Sequence, residues 1–179
     1  MARAAIGGRQ PESTGKGKEK ETVLQYEHLI EVNDLLNPLA FALSREQLWR
    51  GLVLRAEQPE TFVLGLDKCI VHERTDDTLT RELRFGQTVV HDRVVFEAQQ
   101  CVRYETAATE EHAGGTLTMR IEEPTPTHYF VRFTYSTTLP EDAATADTRY
   151  SEFVKSAYRE ADIDTVAQIR ALAEQGALD

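Results

Sequence analysis

Between residues 67 and 139 the chain alternates apolar and polar side chains in six successive segments, 67–74, 78–86, 89–97, 101–107, 115–123 and 128–139. Alternation with a period of two marks a strand with one buried and one solvated face. The gaps between segments are short, as in an antiparallel meander, because parallel neighbours need a crossover of about a dozen residues or more. Gly86-Gln87 suits a two-residue type II′ hairpin loop, with glycine first. Such a loop pairs Leu83 with Val90, Arg81 with Asp92 and Leu79 with Val94 on one face. The other face then pairs Thr80 with Arg93, Glu82 with His91 and Arg84 with Val89. The first face is apolar apart from one opposite-charge pair, and the second is polar almost throughout. A slip of one residue would destroy that separation. Ala113-Gly114-Gly115 and Pro124-Thr-Pro126 mark two later turns. A hairpin around Thr125 pairs Ile121 with Tyr129, Met119 with Val131 and Leu117 with Phe133.

Other elements flank the meander. Tyr26, His28, Ile30 and Val32 alternate with Glu27, Glu31 and Asn33, which reads as a first strand broken at Asn33-Asp34. Ser44-Arg-Glu-Gln47 is a capping box: the serine accepts from the amide three residues on, and the glutamine reaches back. It opens a helix over about 45–56 with Trp49, Leu52, Val53 and Ala56 on one face. Pro59 ends it and starts a short helix through Phe62 and Val63. The last 30 residues carry a helical stripe of Tyr150, Phe153, Val154, Ala157, Tyr158 and Ala161. Beyond Asp162-Ile-Asp164 the stripe shifts to Ile163, Val166, Ala167, Ile169 and Ala173. A kink or break is expected there, with Asp162 or Asp164 as an N-cap.

Composition narrows the function. The 179 residues include 30 acidic and 20 basic side chains, a net charge of −10. Phosphate binding rests on concentrated Lys and Arg, so nucleic acid is a poor partner. No apolar run approaches the ~20 residues of a membrane span. The N-terminus lacks the apolar core of a secretory signal. Cys69 and Cys101 form no CxxC and read as buried thiols of a reducing, cytoplasmic compartment. Residues 1–24 are glycine-rich, nearly free of large apolar side chains and carry +2 against −12 for the body. They read as a disordered tail ahead of one domain over 25–179.

One strand, two short helices, six meandering strands and a long closing helix is the order of the α+β helix-grip (START-like) fold. In it a seven-stranded bent antiparallel sheet wraps around a long C-terminal helix. The stretch Leu43-Ser-Arg-Glu-Gln-Leu-Trp-Arg-Gly-Leu-Val-Leu-Arg-Ala-Glu-Gln-Pro59 resembles the AtaL-like family of the START-like (SRPBCC) superfamily. So do Gly65-Leu-Asp67, Arg81-Glu-Leu-Arg-Phe-Gly86 and Tyr26-Glu-His-Leu-Ile-Glu-Val-Asn33. The resemblance covers about 25–179. It implies an internal hydrophobic cavity and supplies no established catalytic residues. A fungal relative in a secondary-metabolite cluster points toward small-molecule handling.

The candidate site follows from that cavity. Arg81 and Asp92 are expected to face it as neighbours, with Asp92 holding the guanidinium while its remaining N–H groups meet a ligand oxygen. Tyr129, Phe133 and Tyr135 share a face of the last strand, and buried tyrosines need hydrogen-bond partners that a ligand can supply. His28 lies on the apolar face of the first strand, either as a satisfied wall histidine or as an acid–base group. Trp49 and Tyr158, with Phe62, would line the mouth or roof. Phe85, Tyr104 and Phe153 complete the expected ligand-facing set. The histidines His28, His72, His91, His112 and His128 show no metal spacing, and no nucleotide-loop motif occurs. Neither a metal nor a cofactor is expected. Three functions fit: binding of a small hydrophobic or aromatic molecule; a cyclase- or lyase-like enzyme acting on a polyketide-like or aromatic compound; and a protein-interaction module resting on the shifted stripe of the last helix.

Overall fold

Alternating side chains become seven strands in the structure, a computed structural model that describes residues 22–110, 114–139 and 148–179. They are β1 (Thr22–Glu31), β2 (Lys68–Arg74), β3 (Thr78–Phe85), β4 (Thr88–Glu97), β5 (Cys101–Thr106), β6 (Gly115–Thr125) and β7 (His128–Leu139). All pairs are antiparallel, in the order β1-β7-β6-β5-β4-β3-β2. Residues 22–24, assigned to the tail by composition, pair with 137–139 as the start of β1. The rest of that expected tail, 1–21, lies outside the described residues, as does His112.

The β3–β4 hairpin has the predicted register, with Arg81 opposite Asp92 and Glu82 opposite His91. Gly86 supplies the positive φ of 59° that its loop needs. The β6–β7 register differs by two residues from the expected one: Leu117 faces Tyr135, Met119 faces Phe133 and Ile121 faces Val131. The turn sits at Pro126-Thr127, with Thr127 at φ 65°, and the ladder is irregular between Glu122 and Thr125. A shift of two keeps every side chain on its face, so polarity alone could not detect it.

Ser44 and Gln47 form the capping box and start α1 (Arg45–Glu57), followed by a 3₁₀ turn at Pro59–Thr61. The buried face of α1 is Leu48, Gly51, Leu52 and Ala56. Trp49 and Val53, expected there, lie one position round the helix and are only half-buried. The last helix, α2 (Thr148–Glu174), runs without the expected break. Its buried stripe is Asp162, Thr165, Val166, Ile169 and Ala173, and one turn at a time this face extends back to half-buried Tyr158 and Val154. Phe153, 73% exposed, and Ala157 point outward, against expectation. The side chain of Tyr150 lies outside the described residues. Asp162 is not a cap: side chains of the sheet satisfy its carboxylate in mid-helix. The helix ends in a Schellman turn, with Gly176 at φ 73° and bonds from Gly176 N to Ala173 O and from Ala177 N to Leu172 O.

The two helices pack against each other where Gly51 meets Ile169. With Phe133, Val131, Met119, Val94 and Leu79 of the sheet, they enclose one core. The arrangement is a helix grip. No helix of the described residues is long and apolar enough to cross a membrane.

Candidate functional site

Strand polarity places Arg81 and Asp92 on the concave face of the sheet, where their side chains are 3% and 5% exposed. Arg81 Nε and Nη2 donate to the two Asp92 carboxylate oxygens at 2.8 and 2.9 Å. Its Nη1 donates to Ala56 O at 2.5 Å, which ties the pair to the last turn of α1. Burial opposes the guanidinium charge, and Asp92 more than offsets this, leaving the Arg81 pKa above its already high usual value. Among the described residues, three of the five guanidinium N–H groups have partners and two do not.

Tyr104 of β5 lies beneath the guanidinium, with its ring centroid 5.2 Å from Arg81 Cζ. Arg55 of α1 sits over the same ring, also at 5.2 Å. The Tyr104 hydroxyl is buried and has no hydrogen-bond partner among the described residues. Arg81, Asp92, Tyr104, Arg55, Tyr135 and Tyr158 share an open cleft of about 280 Å³ with Leu83, Leu117 and Val63. That volume is near the lower end for small-molecule sites.

A second polar cluster adjoins the cleft through Tyr135. The Asp162 carboxylate accepts from the Tyr135 hydroxyl at 2.7 and 2.9 Å and lies 2.6 Å from His28 Nε2. Asp162 is fully buried. Burial pushes its pKa above the usual carboxylate range, against the hydrogen bonds from Tyr135 and His28 and the charge of Arg55. Burial and the Asp162 charge push the Tyr135 phenol up, so it stays neutral and donates. Tyr135 stacks on Tyr158 at 4.1 Å with 3° between the rings. His28 is held between Tyr26 and Phe133, each 5.3 Å away, and its Nδ1 is buried without a partner among the described residues.

The cleft thus gathers five of the expected residues: Arg81, Asp92, Tyr104, Tyr135 and Tyr158. His28 stands behind them through Asp162. Phe133 and Tyr129 are buried in the core and do not line this cleft. Trp49 lines a different groove, between α1 and the C-terminal turn. Phe85 sits at the hairpin end and lines none of the cleft, and Phe153 faces solvent. Sequence reasoning missed Arg55 and Asp162. A charged residue in the stripe of an otherwise apolar helix face was the available signal for both. Cys69 and Cys101 are free, and burial raises both thiols, which makes them poor nucleophiles. Of the shifted stripe of α2, Val166, Ile169 and Ala173 are buried, while Ile163 and Ala167 are exposed.

Residues 30–176 match the family described as acetylaranotin biosynthesis cluster protein L, AtaL. No curated protein matches the chain by sequence. Among solved structures, it is similar to the di-domain ARO/CYC StfQ from the steffimycin biosynthetic pathway, with a TM-score of 0.65 and 13% identity. That likeness covers 87% of this chain and 52% of the other, so the chain spans about half of the di-domain protein. The Zhui aromatase/cyclase of a Streptomyces species gives 0.60 at 12% identity, covering 86% and 95%. A norcoclaurine synthase point mutant from Thalictrum flavum, in complex with a transition state analogue, gives 0.63 at 8% identity, covering 88% and 99%. Identities this low establish the shared fold alone.

Proposed function

Since the chain belongs to the AtaL family, a helix-grip family whose structural neighbours include aromatase/cyclases, we propose that it binds a small aromatic molecule bearing a phenolate, carboxylate or carbonyl oxygen. The observation that carries this reading is the Tyr104 hydroxyl, without a partner among the described residues, on a ring 5.2 Å from a guanidinium that Asp92 immobilises with two N–H groups to spare. A buried polar group without a partner costs about 1–3 kcal/mol, a deficit a ligand oxygen would relieve. The tyrosine rings and Leu83 and Leu117 offer the flat apolar surface for the ring system. Calorimetric titration with 2-naphthoate and 1-naphthol tests it. Binding to the parent is expected, with Tyr104→Phe and the double variant Arg81→Met/Asp92→Leu each weakened roughly ten- to hundredfold, the worth of a charge-assisted hydrogen bond. Equal affinity in parent and variants would sink the assignment.

A second reading is supported by the Asp162–Tyr135 pair. A proton leaving a carbon next to a ketone would pass to the Tyr135 oxygen as the Tyr135 proton passes to Asp162. The enolate oxygen left behind would meet Arg81. This is the first half of a cyclase- or lyase-like reaction on an aromatic or polyketide-like ketone. Deuterium uptake at the carbon beside the carbonyl of 1-tetralone, followed by NMR, distinguishes the readings. Catalysed uptake lost in Asp162→Asn, with binding retained, supports an enzyme. Uptake no faster than in buffer leaves binding alone.

A further inference from the structure

The convex face of the sheet carries a cluster that the cleft does not use. His72, Glu82 and His91 come from the adjacent strands β2, β3 and β4. One donor atom from each lies within 4.8 Å of the others. Glu82 and His91 are direct cross-strand partners. His72 is the extra residue of a β-bulge, since Val71 pairs with Arg81 and Glu73 already pairs with Thr80. Bulges re-aim side chains, and here the result is an imidazole beside the Glu82–His91 pair. The His72 and His91 rings stand 6.3 Å apart at 26°. One Glu82 oxygen accepts from Arg84 Nε at 2.6 Å, while the other faces His72 Nε2 at 3.9 Å, too long for a hydrogen bond. The carboxylate is therefore oriented by Arg84 and keeps one oxygen uncommitted.

We propose that His72, Glu82 and His91 form a binding site for a first-row transition cation of the zinc type, separate from the cleft. Two imidazoles and a carboxylate are a donor set that suits zinc. Calcium asks for six to eight oxygens and magnesium for a near-octahedral oxygen shell, which this face does not provide. Tetrahedral donors at about 2.1 Å from an ion stand roughly 3.4 Å from one another. Closing from separations within 4.8 Å asks the side chains to move by about 1.4 Å at most, and the His72 side chain is half exposed. The three-stranded ladder beneath holds the Cα positions fixed, and solvent supplies the fourth ligand. Arg84 acts as the outer partner that orients the carboxylate, at the expense of some electrostatic repulsion toward the ion.

Calorimetric titration of the full chain, free of any affinity tag, with zinc chloride tests this. One ion is expected to bind with micromolar affinity, and magnesium chloride is expected to give no binding. His91→Ala and His72→Ala should each weaken zinc binding at least tenfold, and Glu82→Gln should weaken it less. His128→Ala, which removes the histidine paired with Glu31 elsewhere on the sheet, should leave it unchanged. Circular dichroism checks that each variant is folded. Absence of zinc binding by the parent, or His91→Ala and His72→Ala binding like the parent, would overturn the proposal.

Discussion

Arg81 and Asp92 keep two opposite charges out of water, and each is tolerable only because of the other. Arg81→Met alone strands a buried carboxylate, and urea unfolding should show a loss of about 3–5 kcal/mol. Adding Asp92→Leu removes the stranded charge, so the double variant should recover most of that loss. A double variant as unstable as the single one would mean that packing, not charge, is at stake. Asp162 ties stability to pH. Its pKa in the native state lies above that of the unfolded chain, so the native state holds the proton more tightly. The associated stability is present at acid pH and is lost as pH climbs from the usual carboxylate range through the raised value. The stability of the parent minus that of Asp162→Asn, from urea curves at several pH values, should fall across that window. A flat difference would show that Asp162 titrates as it does when unfolded. The Arg81–Asp92 pair was legible in the sequence because a two-residue loop and facial polarity define its register. Asp162 and His28 were not, because they are 134 residues apart and no local pattern joins a helix to a distant strand.

At the scale of elements, faces proved more legible than partners. The alternation of β6 and β7 showed which side chains go inward, yet the register is two residues from the one that a turn around Thr125 implies. In α2 a change of stripe read as a kink. The helix is continuous, and the first stripe was misplaced by one position at Phe153 and Ala157. Phe153→Ala should therefore change stability by no more than about 0.5 kcal/mol, whereas Ile169→Ala should cost about 2–5 kcal/mol. Thermal and urea unfolding would show the contrast, and a large loss at Phe153 would contradict the assigned face. Two glycines do different work. Gly86 has open space around it, so Gly86→Ala should cost only the left-handed backbone term, about 1–2 kcal/mol. A methyl group on Gly51 would stand 2.4 Å from Ile169 Cγ2. Gly51→Ala should cost about 1–3 kcal/mol by overpacking. Combined with Ile169→Ala it should cost less than the sum of the two, because the clash is relieved.

At the scale of the whole molecule, residues 1–21 supply almost no large apolar side chains. Their deletion should leave the melting temperature within about 2 °C, since a loss of 1 kcal/mol already moves a domain of this size by a few degrees. A larger drop would mean that they pack on the body. The sheet order has a different consequence. β1 is made first, but its partner is β7, with Thr22 opposite Leu139. Every hairpin from β2 to β7 can close between neighbours in the chain. β1 alone must wait for a strand made more than a hundred residues later, and α2 later still must cover the concave face. During synthesis, then, the nascent chain carries an unpaired strand while β2 to β6 are made, with the part of the concave apolar face that α2 covers still open, and the domain closes only as α2 emerges. The interval in which this protein is most exposed to aggregation is set by its topology.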